Sequence, residues 1–225
     1  IGVKILNTPE SREGNLIRYI VYTVGYLMVV GVVKLVTNNS PIRIWDLILF
    51  GLITVMVGLF YIYRFNREQR FFKRRHSLSF LGDIGLTIGL TLLVTALRIM
   101  VMYLQAYNKI SWYGFQIIYL KHESIPMFWF LIVANGLVLP ILQEYLATGF
   151  LFNYLFRQNT KLAAIAGIIT SGIVFSILNF QLSWPLLAID VMFGTIFAWS
   201  YLYTQALWMP MYLSILSGLL IVVMT

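Results

Sequence analysis

Seven runs of apolar residues, separated by short polar stretches, organise this chain. They cover about residues 16–36, 45–63, 78–104, 125–156, 162–180, 184–203 and 207–224. A helix needs roughly 20 apolar residues to cross a bilayer, so the pattern predicts about seven transmembrane helices. The fourth run is too long for a straight span. It would extend about 48 Å at about 1.5 Å per residue, against a hydrocarbon core of about 30 Å. Pro140 removes a backbone donor inside it, so a kink, a break or a final stretch along the membrane surface is expected there. The expected fold is an all-α polytopic membrane protein in one bundle, with a Pro-kinked or broken helix around Pro140. No internal repeat or low-complexity segment interrupts the pattern.

Composition agrees with the pattern. The chain has 225 residues, is 60% hydrophobic and has a mean hydropathy of +0.84. Charged residues make up 11%, where a soluble domain carries about 25%. There is no cysteine, which excludes a disulfide framework and thiol chemistry. The first apolar run is too long for a cleavable leader and lacks a small-residue cleavage site, so it is expected to remain as a span.

The net charge of +8 does not point to nucleic acid, because the basic residues mark topology. Six of the sixteen, Arg64, Arg67, Arg70, Lys73, Arg74 and Arg75, sit in the one loop between the second and third runs. Short loops rich in Lys and Arg stay cytoplasmic. The N-terminus is then cytoplasmic, and the loop at 107–123, with Trp112, Tyr113 and Phe115, lies outside. Arg157 and Lys161 fall inside. Seven spans would put the C-terminus outside, unless the chain re-enters at Pro140. The basic loop is also expected to attract anionic lipid or an acidic partner.

Few ionisable groups lie within the runs. Glu144 stands one turn past Pro140, where a kink would free carbonyls and open space for a buried acid. Its simplest role is a hydrogen-bonding post, with Thr148 at i+4 on the same helix face. Arg98 and Asp190 fall at matched depth, each about six residues inside the outer end of its span. Charges in lipid tend to pair, so an Arg98–Asp190 ion pair is expected. Asp83 suits a helix N-terminus. The glycines at 167, 172, 194 and 218 suit close helix packing.

Three pieces of the second half carry a resemblance. They are Gln143-Glu144-Tyr145-Leu146-Ala147-Thr148-Gly149, then Phe175-Ser176-Ile177-Leu178-Asn179, then Thr204-Gln205-Ala206-Leu207-Trp208-Met209-Pro210 with Ser214 and Gly218 following. In order and spacing they resemble the CPBP intramembrane proteases, also called the CAAX-protease or Abi family. That family's motifs are E-E-x-x-x-R, F-x-x-x-H and H-x-x-x-N. Here Gln143 stands for the first Glu, Thr148 for the Arg, Asn179 for the first His, Ser214 for the second His and Gly218 for the Asn. Glu144 is kept. The resemblance implies a helical membrane core over about 124–225, with residues 1–123 adding N-terminal spans and the basic loop to one structural domain. It also implies that the motif positions face a shared cavity. In active members the first Glu and first His activate water, and the second His and Asn steady the oxyanion.

Chemistry tells against that reaction here. Glutamine cannot accept a proton at neutral pH, and asparagine cannot shuttle one. Zinc takes about three nitrogen, sulfur or carboxylate ligands, and no histidine or cysteine follows Ser124. No metal and no cofactor is expected. The reading is a catalytically degenerate member, a pseudoprotease, with Glu144, Thr148, Asn179 and Ser214 contacting a partner. The partner would be an integral membrane protein or a transmembrane peptide. An envelope enzyme, a sensor kinase or toxin immunity would be the setting, in a bacterial plasma membrane. One alternative is an active CAAX-type endopeptidase with an altered site at Glu144. Another is a small-solute transporter or its binding subunit, using Glu144, Asn135, Asn179 and Asp190.

Overall fold

The computed structural model describes residues 12–38, 41–68, 84–122, 124–156, 160–181 and 183–225. Within them the regular elements are helices: α1 (Arg12–Asn38), α2 (Ile44–Glu68), α3 (Ile84–Ala106), α4 (Gly114–His122), α5 (Ile125–Tyr154), α6 (Lys161–Leu178), α7 (Trp184–Thr204) and α8 (Trp208–Val223). Six of them, α1, α2, α3, α5, α6 and α7, are long and apolar enough to cross a membrane; α8 is a shorter apolar helix. The chain is therefore a polytopic helical membrane bundle of about seven helices. Arg70, Lys73, Arg74, Arg75, His76, Asp83, Glu123 and Arg157 lie outside the described residues. Arg64 and Arg67 are seen at the end of α2. Their guanidinium carbons stand 5.8 and 5.9 Å from the ring centres of Phe60 and Tyr63.

Local chemistry sets the helix ends. Ser124 caps α5 by accepting from the Met127 amide at 3.3 Å, and Pro126 sits in the first turn, where no intrahelical donor is needed. Thr160 caps α6 through the Ala163 amide. α3 closes with the Lys109 amide on the Leu104 carbonyl and Asn108 at φ 55°, a left-handed position that asparagine tolerates. Gln205 closes α7 in the same region, at φ 54°.

The irregularity expected at Pro140 is not a break. α5 runs on through two π-helical stretches, Ile132–Val138 and Tyr145–Phe150, with α-helical Leu139–Glu144 between them. The first widening meets the proline from its N-terminal side, where the ring deprives the preceding turn of a donor. The aromatic stretch after α3 also differs from a plain loop, since Gly114–His122 fold into α4.

Two helix contacts hold the site together. α6 and α7 touch through glycines: a Cβ added at Gly194 would lie 2.6 Å from Phe175 Cβ and 2.8 Å from Gly172 Cα. α8 lies against the first π-helical stretch of α5 through Gly136 and Gly218. Lipid tails are as apolar as leucine, so close van der Waals packing of this kind is what associates helices in a membrane. Gly194→Ala is expected to lower stability by about 1–2 kcal/mol, read as an earlier thermal unfolding in detergent. An unchanged midpoint would show that the two helices have slack.

The half of the core near the C-terminal end of α2 is aromatic. Tyr22 stacks on Phe150 with ring centres 4.3 Å apart, and Tyr61 meets Phe150 edge-on at 5.4 Å. The Tyr61 hydroxyl donates to the Tyr22 carbonyl, giving the phenol the partner that burial requires.

Candidate functional site

A cavity of about 280 Å³ lies at the end of the bundle opposite the C-terminal end of α2. The last turns of α1 and α6 and the start of α4 contribute to its lining, among them Lys34, Phe180 and Phe115. Phe180 holds φ 52° there, a strained conformation for a bulky side chain. The Lys34 ammonium stands 5.6 Å from its ring centre.

The floor and wall bring four of the motif positions together: Gln143 from α5, Asn179 from the end of α6, and Ser214 and Gly218 from α8. Gln143 donates through one amide nitrogen to the Phe175 carbonyl at 2.7 Å and to Asn179 Oδ1 at 3.0 Å. Asp190 of α7 lines the same wall.

Glu144 and Thr148 are not on this wall. One residue further along α5 turns a side chain through about 100°, and Glu144 is 0% exposed. Thr148 Oγ1 donates to Glu144 Oε2 at 2.7 Å, and the Ser214 hydroxyl faces the same carboxylate. Ser214 thus stands between the cavity and the buried acid.

Arg98 and Asp190 both line the cavity and are joined through a third side chain. Arg98 Nη1 donates to the Tyr113 hydroxyl at 2.9 Å, and that hydroxyl donates to Asp190 Oδ1 at 3.1 Å. Arg98 Nε also donates to Ser217 Oγ at 2.6 Å, and the guanidinium carbon lies 3.8 Å over the Phe193 ring centre. The result is two runs of polar contacts along the wall, Gln143–Asn179 and Asp190–Tyr113–Arg98–Ser217. They draw on α3, the α3–α4 link, α5, α6, α7 and α8. Gln143, Tyr113, Arg98 and Ser217 each have a partner there, as burial in a low dielectric demands, while Asp190 Oδ2 has none.

Sequence reasoning missed Tyr113, Ser217 and Gly136. The depth argument placed Arg98 and Asp190 at one level but carried no sign that a loop tyrosine would enter between them. Asn135 does line the cavity beside Pro140.

The wall suits binding better than proton transfer. Its amides and hydroxyls donate and accept without changing charge. Asp190 is the one carboxylate on it, balanced by Arg98. The donors do not suit zinc, which takes imidazole, thiolate or carboxylate ligands. Among the described residues no three His, Cys, Asp or Glu gather in a metal-binding group.

Comparison with known proteins gives one relationship. Residues 125–220 match the family model for "Type II CAAX prenyl endopeptidase Rce1-like". No curated protein matches the chain, and no solved structure does.

Proposed function

We propose that this chain, whose residues 125–220 belong to the Rce1-like family, is a non-catalytic member that holds a peptide or transmembrane segment of a partner membrane protein in its cavity. The observation that carries this reading is the Gln143–Asn179 hydrogen bond at 3.0 Å. In the family pattern these two positions hold an acid and an imidazole that together move a proton. Here both are amides, bonded to each other, and neither titrates near neutral pH. The exchange keeps a hydrogen bond across the α5–α6 contact and removes the general base.

Two further features support a binding role. Gly218 replaces the asparagine that would steady an oxyanion, and its backbone lies too close to α5 for a side chain. The cavity joins a polar wall to an apolar one that includes Val30, Val33 and Ile118, which suits an amphipathic segment. The protein would sit in a bacterial plasma membrane with its N-terminus cytoplasmic. Its basic loop would rest on anionic lipid, and it would regulate or scaffold an envelope enzyme, a sensor kinase or an immunity system.

Mild-detergent affinity purification of the native protein tests this, run beside Glu144→Gln and the cavity-filling Asn179→Trp. A stoichiometric membrane partner is expected with the wild type and with Glu144→Gln, and is expected to be lost with Asn179→Trp while the variant still melts cooperatively. Peptide fragments that accumulate with the wild type and vanish with Glu144→Gln would instead establish a peptidase working through the retained acid.

A further inference from the structure

We infer that residues 107–122, which follow α3, are a lid over the cavity, latched by the Tyr113 hydroxyl between Arg98 and Asp190. This rests on the cavity being a binding site, and it adds what controls entry.

Tyr113 belongs to a connection, yet it is only 2% exposed. Its hydroxyl takes one hydrogen bond from a guanidinium and gives one to a carboxylate. Charge-assisted hydrogen bonds are roughly twice as strong as neutral ones, so the latch concentrates its hold in one atom. The ring packs with Leu186 and Ile221, closing the gap between α7 and α8.

The rest of the segment has the anatomy of a hinged cover. Its base is fixed by buried Gln105 and Gln116. Gln116 Oε1 accepts from the Tyr113 amide at 2.9 Å and from Gln105 Nε2 at 3.3 Å, and Gln116 Nε2 donates to Thr225 Oγ1 at 2.9 Å. Asn108 turns the chain with a positive φ at one end. Gly114 follows Tyr113, with open space where a Cβ would stand. α4 makes its main packing contact with the first turns of α5, and from there Phe115 and Ile118 roof the cavity. A connection needed only to join α3 to α5 has no reason to place a phenol between two buried charges. Elements that open are those held by few apolar contacts, and here the polar bonds of Tyr113 and Gln116 supplement a small apolar cluster around Leu186 and Ile221.

The absence of native cysteine allows a direct test in detergent micelles. Ser214→Cys puts a thiol on the cavity wall, and its modification by a water-soluble maleimide reports access. With Tyr113 intact, modification is expected to be slow. With Tyr113→Phe it is expected to run about tenfold faster or more, the scale set by losing a hydrogen bond to charged groups. Gln116→Ala, which loosens the base without touching Arg98 or Asp190, is expected to act in the same direction. It carries the test should Tyr113→Phe fold poorly. Ser171→Cys, buried on α6 and off the cavity wall, is expected to stay slow in every background. Equal rates at Ser214→Cys with and without Tyr113→Phe would overturn the latch. So would fast modification while Tyr113 is intact, or acceleration of Ser171→Cys to the same degree, which would mean general loosening. These rates involve no partner, so the lid and the partner-binding reading fail independently.

Discussion

Arg98→Ala is expected to destabilise the protein by about 3–5 kcal/mol, the cost of breaking a buried charged pair by removing one member. Arg98 is 2% exposed and is the shared donor to Ser217 and Tyr113. Its removal leaves the Asp190 carboxylate, itself 0% exposed, with the Tyr113 phenol but no opposite charge. It also empties the space over the Phe193 ring, where the guanidinium stands 3.8 Å from the ring centre. Such cation–π contacts are worth about 2 kcal/mol or more when desolvated. Asp190→Asn is expected to cost less, because the guanidinium keeps Ser217, Tyr113 and Phe193. Joint replacement by apolar residues, Arg98→Met with Asp190→Leu, is expected to recover much of the loss, since it removes the stranded charge. Thermal unfolding of the four proteins in one detergent gives the coupling between the two sites. The account of a charge-balanced wall is wrong if Arg98→Ala shifts stability by no more than a surface change, within about 0.5 kcal/mol.

The same pair marks how far sequence carries. The spans are written in hydropathy, because length and apolarity are what lipid demands of each helix separately. The similarity of residues 125–220 to the Rce1-like family model is legible in motif order and spacing, which do not depend on any one side chain. Contacts between elements are not written locally. Tyr113 bonds to Asp190 across 77 residues of chain, and nothing around Tyr113 distinguishes it from an interfacial aromatic. Pro140 announces an irregularity in α5, but a proline allows a kink, a break or a widened turn. Packing against Gly218 and Leu219 of α8 accompanies the widened form here. Glu144 is prominent in sequence as a carboxylate in an apolar run. In the structure its neighbour Gln143 takes the cavity, because the two point to different sides of one helix.

Gly218→Asn, which refills the family's fourth motif position, is expected to destabilise by about 3 kcal/mol, at the upper end for overpacking, and to restore no activity. A Cβ there would lie 2.7 Å from the Asn135 carbonyl, 3.0 Å from Pro140 Cγ and 3.4 Å from Gly136 Cα. The first of these contacts is with backbone, which cannot rotate away as a flexible side chain can. The geometry of α5 explains why the carbonyl is there. In the first π-helical stretch the Leu139 amide bonds to the Ala134 carbonyl. The next bond in that register would run from residue 140 to Asn135, but proline has no N–H. The Asn135 carbonyl faces α8, where a glycine lets it approach. The missing side chain and the widened, proline-bearing turn therefore fit one another, and neither reverts alone. Gly218→Ala is expected to show the packing penalty without the polar group, with a smaller loss. Adding Gln143→Glu and Asn179→His to Gly218→Asn would rebuild three of the motif positions on a backbone with no room for the last. That triple variant is expected to leave a CAAX-type peptide uncleaved, in a preparation whose thermal unfolding shows how much folded protein is present. Cleavage by it, or a Gly218→Asn protein as stable as wild type, would show that α5 and α8 can part. The cavity would then be a protease site lacking only its side chains, and the binding role would lose its structural support.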